Sequence, residues 1–414
     1  MTANFPPEAS GGTEQVVWAL LRELRARGVG VAVVSGSDLP ASDVDASAAD
    51  VVREQHDGIA VTRLRRRVDE HDQHGFVRPR LLAEVGRVLD GFAPDVVHVH
   101  SFAALGFGVA ALCQERSLPM VVTCHDLWLT CARYFRVPVG GVACPDGTDR
   151  EACITCIHDA TLMDPARIAA GLHERDRLVR EELRAARHVT APSRTAANLV
   201  AAHAPYAGEI EVIPHGLLAA VPAPQNAIAK AVDGVVRVGT FGGLVPEKGV
   251  RELVLAGAAA SAFDRGRTKL ELHLSGPFHD PAFEREIVQL AQEHSVTLHC
   301  HGRYGFGDPH PARGLDLAVF PSQCQETYGL VVDEALAHGV PVLCSDGGAL
   351  SERAATPGVM TVRLADLGAE LAAALVELVG SPARLAALRA AIPAQLPTIT
   401  RSAERHLELY RSLA

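Results

Sequence analysis

Residues 321–352 read PSQCQETYGLVVDEALAHGVPVLCSDGGALSE, a strand, loop, helix and strand in succession. Glu326 falls in the loop just ahead of the helix, where a carboxylate can face a ligand at the strand ends. Glu334 lies about two turns further on, roughly 12 Å along the helix axis, so the two cannot grip the same group. They suit different parts of one extended ligand; the plainer reading is a capping carboxylate and an ordinary surface one. A second segment, VGTFGGLVPEKGV at 238–250, runs a strand into Gly242 and Gly243 and then opens a helix with Lys248 and Gly249. A lysine beside a helix N-terminus gathers positive charge where diphosphate oxygens could lie. The segment is not a Walker loop, which needs Ser or Thr after the lysine. The spacing of Gly239, Gly242 and Gly243 also departs from the dinucleotide fingerprint, which argues against a nicotinamide oxidoreductase.

Cysteines and histidines supply the other candidates. Cys131, Cys144, Cys153 and Cys156 fall in one predicted loop after His125, and CITC from Cys153 has the gap that lets both thiolates reach one metal. Four thiolates suit a closed, tetrahedral zinc site of structural type, with a reducible disulfide, free thiols or a redox centre as alternatives. Cys124, Cys300, Cys324 and Cys344 lie in or beside strands and are expected to pack as small apolar residues. VVHVHS and VVTCHD end two consecutive strands with His98 and His100, then His125 and Asp126. His98 and His100 read as strand-end histidines satisfied by local hydrogen bonds. His215, in VIPHGL, reads as a structural turn residue.

The elements that must position these groups follow from periodicity. Apolar runs at 29–35, 95–100, 120–125, 188–192 and 210–214 form one series of strands. Runs at 235–241, 270–275, 296–301, 317–321, 340–345 and 360–362 form another. Helical stretches alternate with them, as in 13–27, where Val16, Val17, Leu20, Leu21 and Leu24 make one stripe that ends at Gly28. This is an α/β pattern of two doubly wound, Rossmann-like parallel sheets. Because most runs are continuously apolar, both faces of each sheet should be covered by helices. The predicted domains are 1–216 and 217–397, divided along a Pro- and Ala-rich stretch at 216–233, with a last helix in 398–414 packing back on the first domain. Ligands of such sheets bind beyond the carboxyl ends of the strands, and two sheets facing each other make a cleft. Only residues 1–5 precede the loop at Gly11 and Gly12, which predicts either a truncated first strand or a chain that begins upstream.

Composition narrows the class. The chain has 414 residues, 48% hydrophobic and 21% charged, and a formal net charge of -10, which disfavours a nucleic-acid reader. Arg63 and the run Arg65, Arg66 and Arg67 read as a solvated surface, with contact to an acidic membrane surface as the alternative. No apolar run reaches the roughly 20 residues that span a bilayer and no signal pattern opens the chain, so a cytoplasmic protein without a transmembrane segment is expected. Nine cysteines, an odd number, fit thiols or a metal site better than a disulfide framework. Oligomeric state is not encoded in any of these features.

The segment at 321–352 closely resembles the carboxyl-proximal signature of glycosyltransferase family 4, with two glutamates separated by seven residues and followed by Ala, Gly and Pro-Val. The resemblance implies a GT-B fold and transfer of a sugar, with retention at the anomeric carbon, from a nucleotide-diphosphate donor to an acceptor hydroxyl. It requires no divalent metal for catalysis. It implies that Glu326 binds the donor sugar hydroxyls and Glu334 the ribose. Thr327, Tyr328 and the backbone N–H groups of Gly329 and Leu330 would line the donor site, those N–H groups meeting the diphosphate. Lys248 would neutralise the leaving group behind Gly242 and Gly243, and Gly11 and Gly12 match the family's glycine-rich loop. His125 matches a position close to the reacting sugar. The family usually places an arginine where Gly243 stands, and Arg303 and Arg313 are candidates to replace its charge. The cysteine cluster marks a subgroup. The acceptor, whether polysaccharide, glycolipid or small natural product, is not legible. Rival readings are a GT-B nucleotide-sugar epimerase or hydrolase, and a coupling or non-catalytic ligand-binding variant.

Overall fold

The computed structural model describes residues 1–9, 11–37, 39, 50–65, 75–138, 144, 150–204, 208–218, 234–264, 269–305 and 308–413. The chain forms two compact units, one of Met1–Tyr134, Pro145–Ala219 and Pro397–Ala414, the other of Phe135–Cys144 and Ala220–Leu396. Most of the stretch foreseen as the boundary, and Arg66 and Arg67, lie outside the described residues.

The first unit carries helix α1 (Gly12–Ala26), strands β1 (Ala32–Ser37), β2 (Asp50–His56) and β3 (Ile59–Arg65), then α2 (Pro79–Phe92), β4 (Val97–Val99), α3 (Val109–Glu115) and β5 (Met120–Thr123). Helices α4 (Arg150–Thr161) and α5 (Pro165–Ala185), strand β6 (His188–Ala191), α6 (Arg194–His203) and β7 (Glu211–Val212) complete its body. One sheet runs β1-β3-β2 and another β4-β5-β6-β7. Met1 and Thr2 join them: Thr2 N–H donates to Val34 and its carbonyl accepts from Gly36, while His100 N–H donates to the Met1 carbonyl. A cavity of about 470 Å³ lies alongside Met1, lined by residues of α1, β1 and β4 and by Tyr410.

β2 and β3 form an antiparallel pair that the periodicity does not reveal, because polar residues interrupt both. Their pairing overturns the surface reading of Arg63. That guanidinium is buried, donates to the carbonyls of Phe5 at 2.8 Å and Pro6 at 2.7 Å, and pairs with Glu54. It organises the loop that leads into α1. Arg65 pairs across the hairpin with Asp50.

The second unit carries β8 (Val235–Phe241), α7 (Val250–Asp264), β9 (Lys269–Ser275), α8 (Pro281–Glu293), β10 (Thr297–Gly302), β11 (Leu317–Phe320), α9 (Leu330–Ala337), β12 (Val342–Ser345), β13 (Val359–Val362), α10 (Leu367–Gly380) and α11 (Pro382–Ala391). Its parallel sheet runs β10-β9-β8-β11-β12-β13, which is the 3-2-1-4-5-6 order of a doubly wound fold. Strand order therefore reverses between β8 and β11, and the loops leaving those two strands carry Lys248 and Glu326. The core is apolar side chains of α7, α8 and α10 against β8, β9 and β11, among them Leu253, Leu272, Ile287, Leu317 and Leu371. Two expectations fail at the edge of this sheet. β10 is exposed along most of its length, so one sheet face is not fully covered there, and Cys300 is exposed rather than packed.

The last helix, α12 (Ile399–Arg411), belongs to the first unit. Leu409 packs with Val121 and Ile213, and Leu217 and Thr398 form a parallel bridge. Among the described residues no single helix is long and apolar enough to cross a membrane.

Candidate functional site

In the second unit, three loops are stitched together at the carboxyl ends of β8, β11 and β12. The first makes a 3-10 turn, Pro246–Lys248, closed by Gly249 at φ 72°. A Cβ at Gly249 would stand 1.9 Å from the Pro321 carbonyl oxygen, so only glycine lets this loop lie against the end of β11. Gln323 N–H donates to the Glu247 carbonyl at 2.8 Å. The third loop contributes Ala349, whose N–H donates to the Glu326 carbonyl at 2.7 Å, while Ser345 Oγ donates to the Ser322 carbonyl at 2.6 Å.

This stitching brings Lys248 Nζ within 2.5 Å of Glu326 Oε1. Ser322 Oγ donates to the same oxygen, a partner that the sequence does not announce. Burial alone would discharge both partners, but each holds the other charged: Glu326 lifts Lys248 above the ordinary lysine range, and Lys248 holds Glu326 below the ordinary carboxylate range. Burial pushes the neighbouring Cys324 thiol up to about 12, so it stays protonated. The site thus offers a lysine cation fixed beside a carboxylate.

Helix α9 starts at this place. Gly329 caps it in the left-handed region at φ 82°, and a Cβ there would meet Leu350 Cδ2 at 2.8 Å. The buried Asp333 accepts from Arg353 at 3.0 and 3.1 Å, and that guanidinium also covers the Tyr328 ring at 4.6 Å from its centroid. Arg353 therefore fixes the α9 N-terminus from beneath, a role the sequence gives no signal for. Thr327 lies between Glu326 and this clamp, half-buried. Leu330 begins the helix, and Glu334 follows on its second turn, half-buried, with Oε2 3.7 Å from His310 Nε2. His310 in turn stacks on His338 at 4.4 Å.

Gly242 and Gly243 follow β8. Gly243 is exposed, and a Cβ built on it meets a single described side chain within 4 Å, His279 Nε2 at 3.7 Å. Neither Arg303 nor Arg313 comes that near; both are exposed, the first after β10 and the second in a 3-10 turn at Pro311–Gly314. The side chain beside the vacated arginine position is a histidine from the loop after β9.

In the first unit, His125 stands at the end of β5, buried, and both ring nitrogens face other histidines: Nε2 lies 2.7 Å from His100 Nδ1 and Nδ1 lies 3.3 Å from His215 Nε2. His98 Nδ1 meets the Tyr410 hydroxyl of α12 at 2.5 Å, and its Nε2 meets Thr123 Oγ1 at 2.7 Å. Burial lowers His125 to about 3 and holds His98 and His100 well below the usual histidine range, so these imidazoles are neutral. His98 is indeed held by local hydrogen bonds, while His100 belongs with His125. Gly11 caps α1 with exposed backbone, and Gly12 is its first residue.

The cysteines are arranged differently from the predicted loop. Cys153 and Cys156 lie one turn apart on α4; Cys153 Sγ faces Arg150 at 3.6 Å and Cys156 Sγ faces Arg133 at 3.4 Å. Cys131 is half-buried in the turn after β5. Cys144 belongs to the other compact unit. Among the described residues, these cysteines make no group of three with ligand atoms drawn together; Glu271, His273 and His299 do.

The sequence compares with known proteins over both units. The family model for Glycosyltransferase Family 4 matches residues 10–217, and that for Glycosyl transferases group 1 matches residues 235–381. A GDP-mannose-dependent alpha-mannosyltransferase of Mycolicibacterium smegmatis is 27% identical over 362 residues, covering 83% of this chain and 78% of that protein. A D-inositol 3-phosphate glycosyltransferase of Nocardia farcinica is 28% identical over 285 residues, 66% of this chain and 55% of that one. Among solved structures, Anabaena HepE in complex with UDP and glucose aligns with a TM-score of 0.65 at 17% identity, covering 100% of both chains. Sucrose-phosphate synthase from Thermosynechococcus elongatus aligns at 0.66 and 19%, covering 99% of this chain and 95% of its own. With one family model spanning half of the chain, a second covering most of the other unit, and a fold shared over the full length, the chain belongs to glycosyltransferase family 4 and has the GT-B architecture.

Proposed function

We propose that this glycosyltransferase transfers a sugar from a nucleotide-diphosphate donor to an acceptor hydroxyl with retention of anomeric configuration. The observation that carries the reading is the Lys248–Glu326 pair beside the N-terminus of α9, at the point where strand order reverses. A nucleoside diphosphate leaving group gathers negative charge in the transition state. Lys248 and the N–H groups at Gly329 and Leu330 would stabilise that charge without having to reorganise. Glu326, released from Lys248 as the phosphate binds, would accept from the sugar hydroxyls, and Glu334 from the ribose. His125, held neutral, would stand near the reacting sugar without adding charge. The acceptor hydroxyl would attack from the face that the diphosphate leaves, passing its proton to the departing phosphate oxygen.

GDP-mannose is the first donor to test, since two relatives are named as GDP-mannose-dependent, and UDP-glucose the second, since a neighbour of the same fold was solved with UDP and glucose. In the purified chain one donor should raise the melting temperature and then release nucleoside diphosphate only when an acceptor is added. Release of free sugar at the same rate without acceptor would instead establish a hydrolase. Absence of any shift across the panel would favour a ligand-binding variant. Zinc at Cys131, Cys153 and Cys156, with Cys144, remains our proposal for the cysteines, tested by zinc content before and after their replacement by serine.

A further inference from the structure

Away from the donor loops, the open face at the edge of the second unit's sheet carries a set of side chains that sugar transfer does not use. β9 and β10 pair in parallel with His273 opposite His299. Alternation along β9 turns Leu270, Leu272 and Leu274 into the core and leaves Glu271 and His273 on the other face. The same alternation along β10 gives His299 and His301 to that face. The sequences ELH and HCH thus gather one carboxylate and three imidazoles where the sheet is not covered.

Their geometry is that of ligands. Glu271 Oε2 lies 3.8 Å from His273 Nε2 and 3.8 Å from His299 Nε2, and all three ligand atoms lie within 4.8 Å of one another. A tetrahedral ion with bonds of about 2.1 Å needs separations of about 3.4 Å, so small side-chain rotations close the set. His273 Nε2 is shielded from solvent and meets no hydrogen-bond partner among the described residues. An imidazole nitrogen kept dry and unpaired, facing a carboxylate oxygen and a second imidazole nitrogen, is a buried polar atom left without a partner.

The surrounding contacts orient the same atoms. His273 Nδ1 lies 2.9 Å from His301 Nε2, with the two rings nearly coplanar in tilt at 4°. With Nδ1–H donating to His301, the Nε2 lone pair of His273 points into the set, as a ligating histidine requires. Lys269 Nζ holds Glu271 Oε1 at 2.6 Å, while Oε2 faces the two histidines at 3.8 Å and Arg237 Nε at 4.0 Å. We propose that Glu271, His273 and His299 bind one divalent transition ion of the zinc, cobalt or nickel type, with His301 as the positioning residue behind His273. Two imidazole nitrogens and one carboxylate oxygen suit such an ion better than magnesium or calcium, which prefer all-oxygen shells. The ion would tie the exposed strand β10 to β9.

Cobalt(II) titration of the full chain tests this, because thiolate ligands give a sulfur-to-metal charge-transfer band and this site does not. One equivalent of cobalt should bind with d–d absorption and no charge-transfer band, separately from any cobalt taken up by the cysteines. The equivalent should vanish in His273→Ala/His299→Ala, and its affinity should fall about 10- to 100-fold in His301→Ala. His299→Gln, at the more exposed ligand, guards against misfolding: with its circular dichroism and metal-free melting temperature unchanged, it too should lose the equivalent. An unchanged stoichiometry and affinity in the folded His299→Gln protein, or no such equivalent in the parent chain, would overturn the proposal.

Discussion

Lys248 carries the most weight of any single residue. Its ammonium is fixed by Glu326 before substrate arrives, so replacing it removes transition-state charge stabilisation and also leaves the Glu326 carboxylate without its cation. Lys248→Ala should lower kcat about 100- to 1,000-fold, read as acceptor-dependent diphosphate release by protein whose circular dichroism shows it folded at the assay temperature. Normal turnover would refute the assignment. Gly243 and His279 form the second case at this scale. If His279 takes part of the work usual for an arginine at 243, His279→Ala should reduce turnover several-fold, and adding Gly243→Arg to that variant should restore it. A double variant no better than His279→Ala would show that the two positions do not share a ligand.

At the scale of elements, the N-terminus of α9 is held by one ion pair. The Arg353 and Asp333 side chains are only 14% and 2% exposed, so removing the arginine strands a carboxylate that burial already pushes upward. Arg353→Ala should cost on the order of 3 kcal/mol in urea unfolding. Donor affinity should fall with it, because Tyr328, Gly329 and Leu330 lose their support. Arg353→Lys cannot reproduce the two-pronged contact and should recover only part of the loss. A variant with wild-type stability and donor binding would show that the helix start is fixed by backbone alone.

For the molecule as a whole, α12 and the buried histidines tie stability to pH. His98, His100 and His125 have folded values depressed below the unfolded 6.5, His125 to about 3. Below 6.5 the unfolded chain binds more protons, so their contribution is complete above about pH 6.5 and is lost as pH falls through their depressed folded values, about 3 for His125. Glu182, raised by burial to about 7, acts in the opposite sense between 4.5 and 7. Burial also lowers His273, His338 and His406, and with the first three histidines these outnumber the raised carboxyls Glu182, Asp126 and Asp333. The chain should therefore unfold more readily as the solution is acidified from pH 6.5 to 4.5. His100→Gln should show a shallower acid limb in a pH-melting series; an unchanged slope would remove the histidines from the explanation. Tyr410→Phe, which deprives His98 of its partner on α12, should cost about 1 kcal/mol at neutral pH.

Periodicity and loop chemistry alone determined the two α/β units, most strand positions, the loops that bear Lys248 and Glu326, and the helix that bears Glu334. Those features are local: a strand, the turn that leaves it and the helix that follows are written in consecutive residues. Tertiary structure alone decided what depends on residues distant in the chain. Arg63 reads as a surface charge until β2 pairs with β3 and the loop of Phe5 and Pro6 closes over it. Cys300 reads as buried until β10 proves to be an edge, because an edge strand and a central one can share the same apolar pattern. The joining of His100 to His125 to His215, of Lys248 to Glu326, and of His273 to His299 links side chains 25 to 90 positions apart. Such distances in sequence carry no period, and only the packing of strands and loops makes them neighbours.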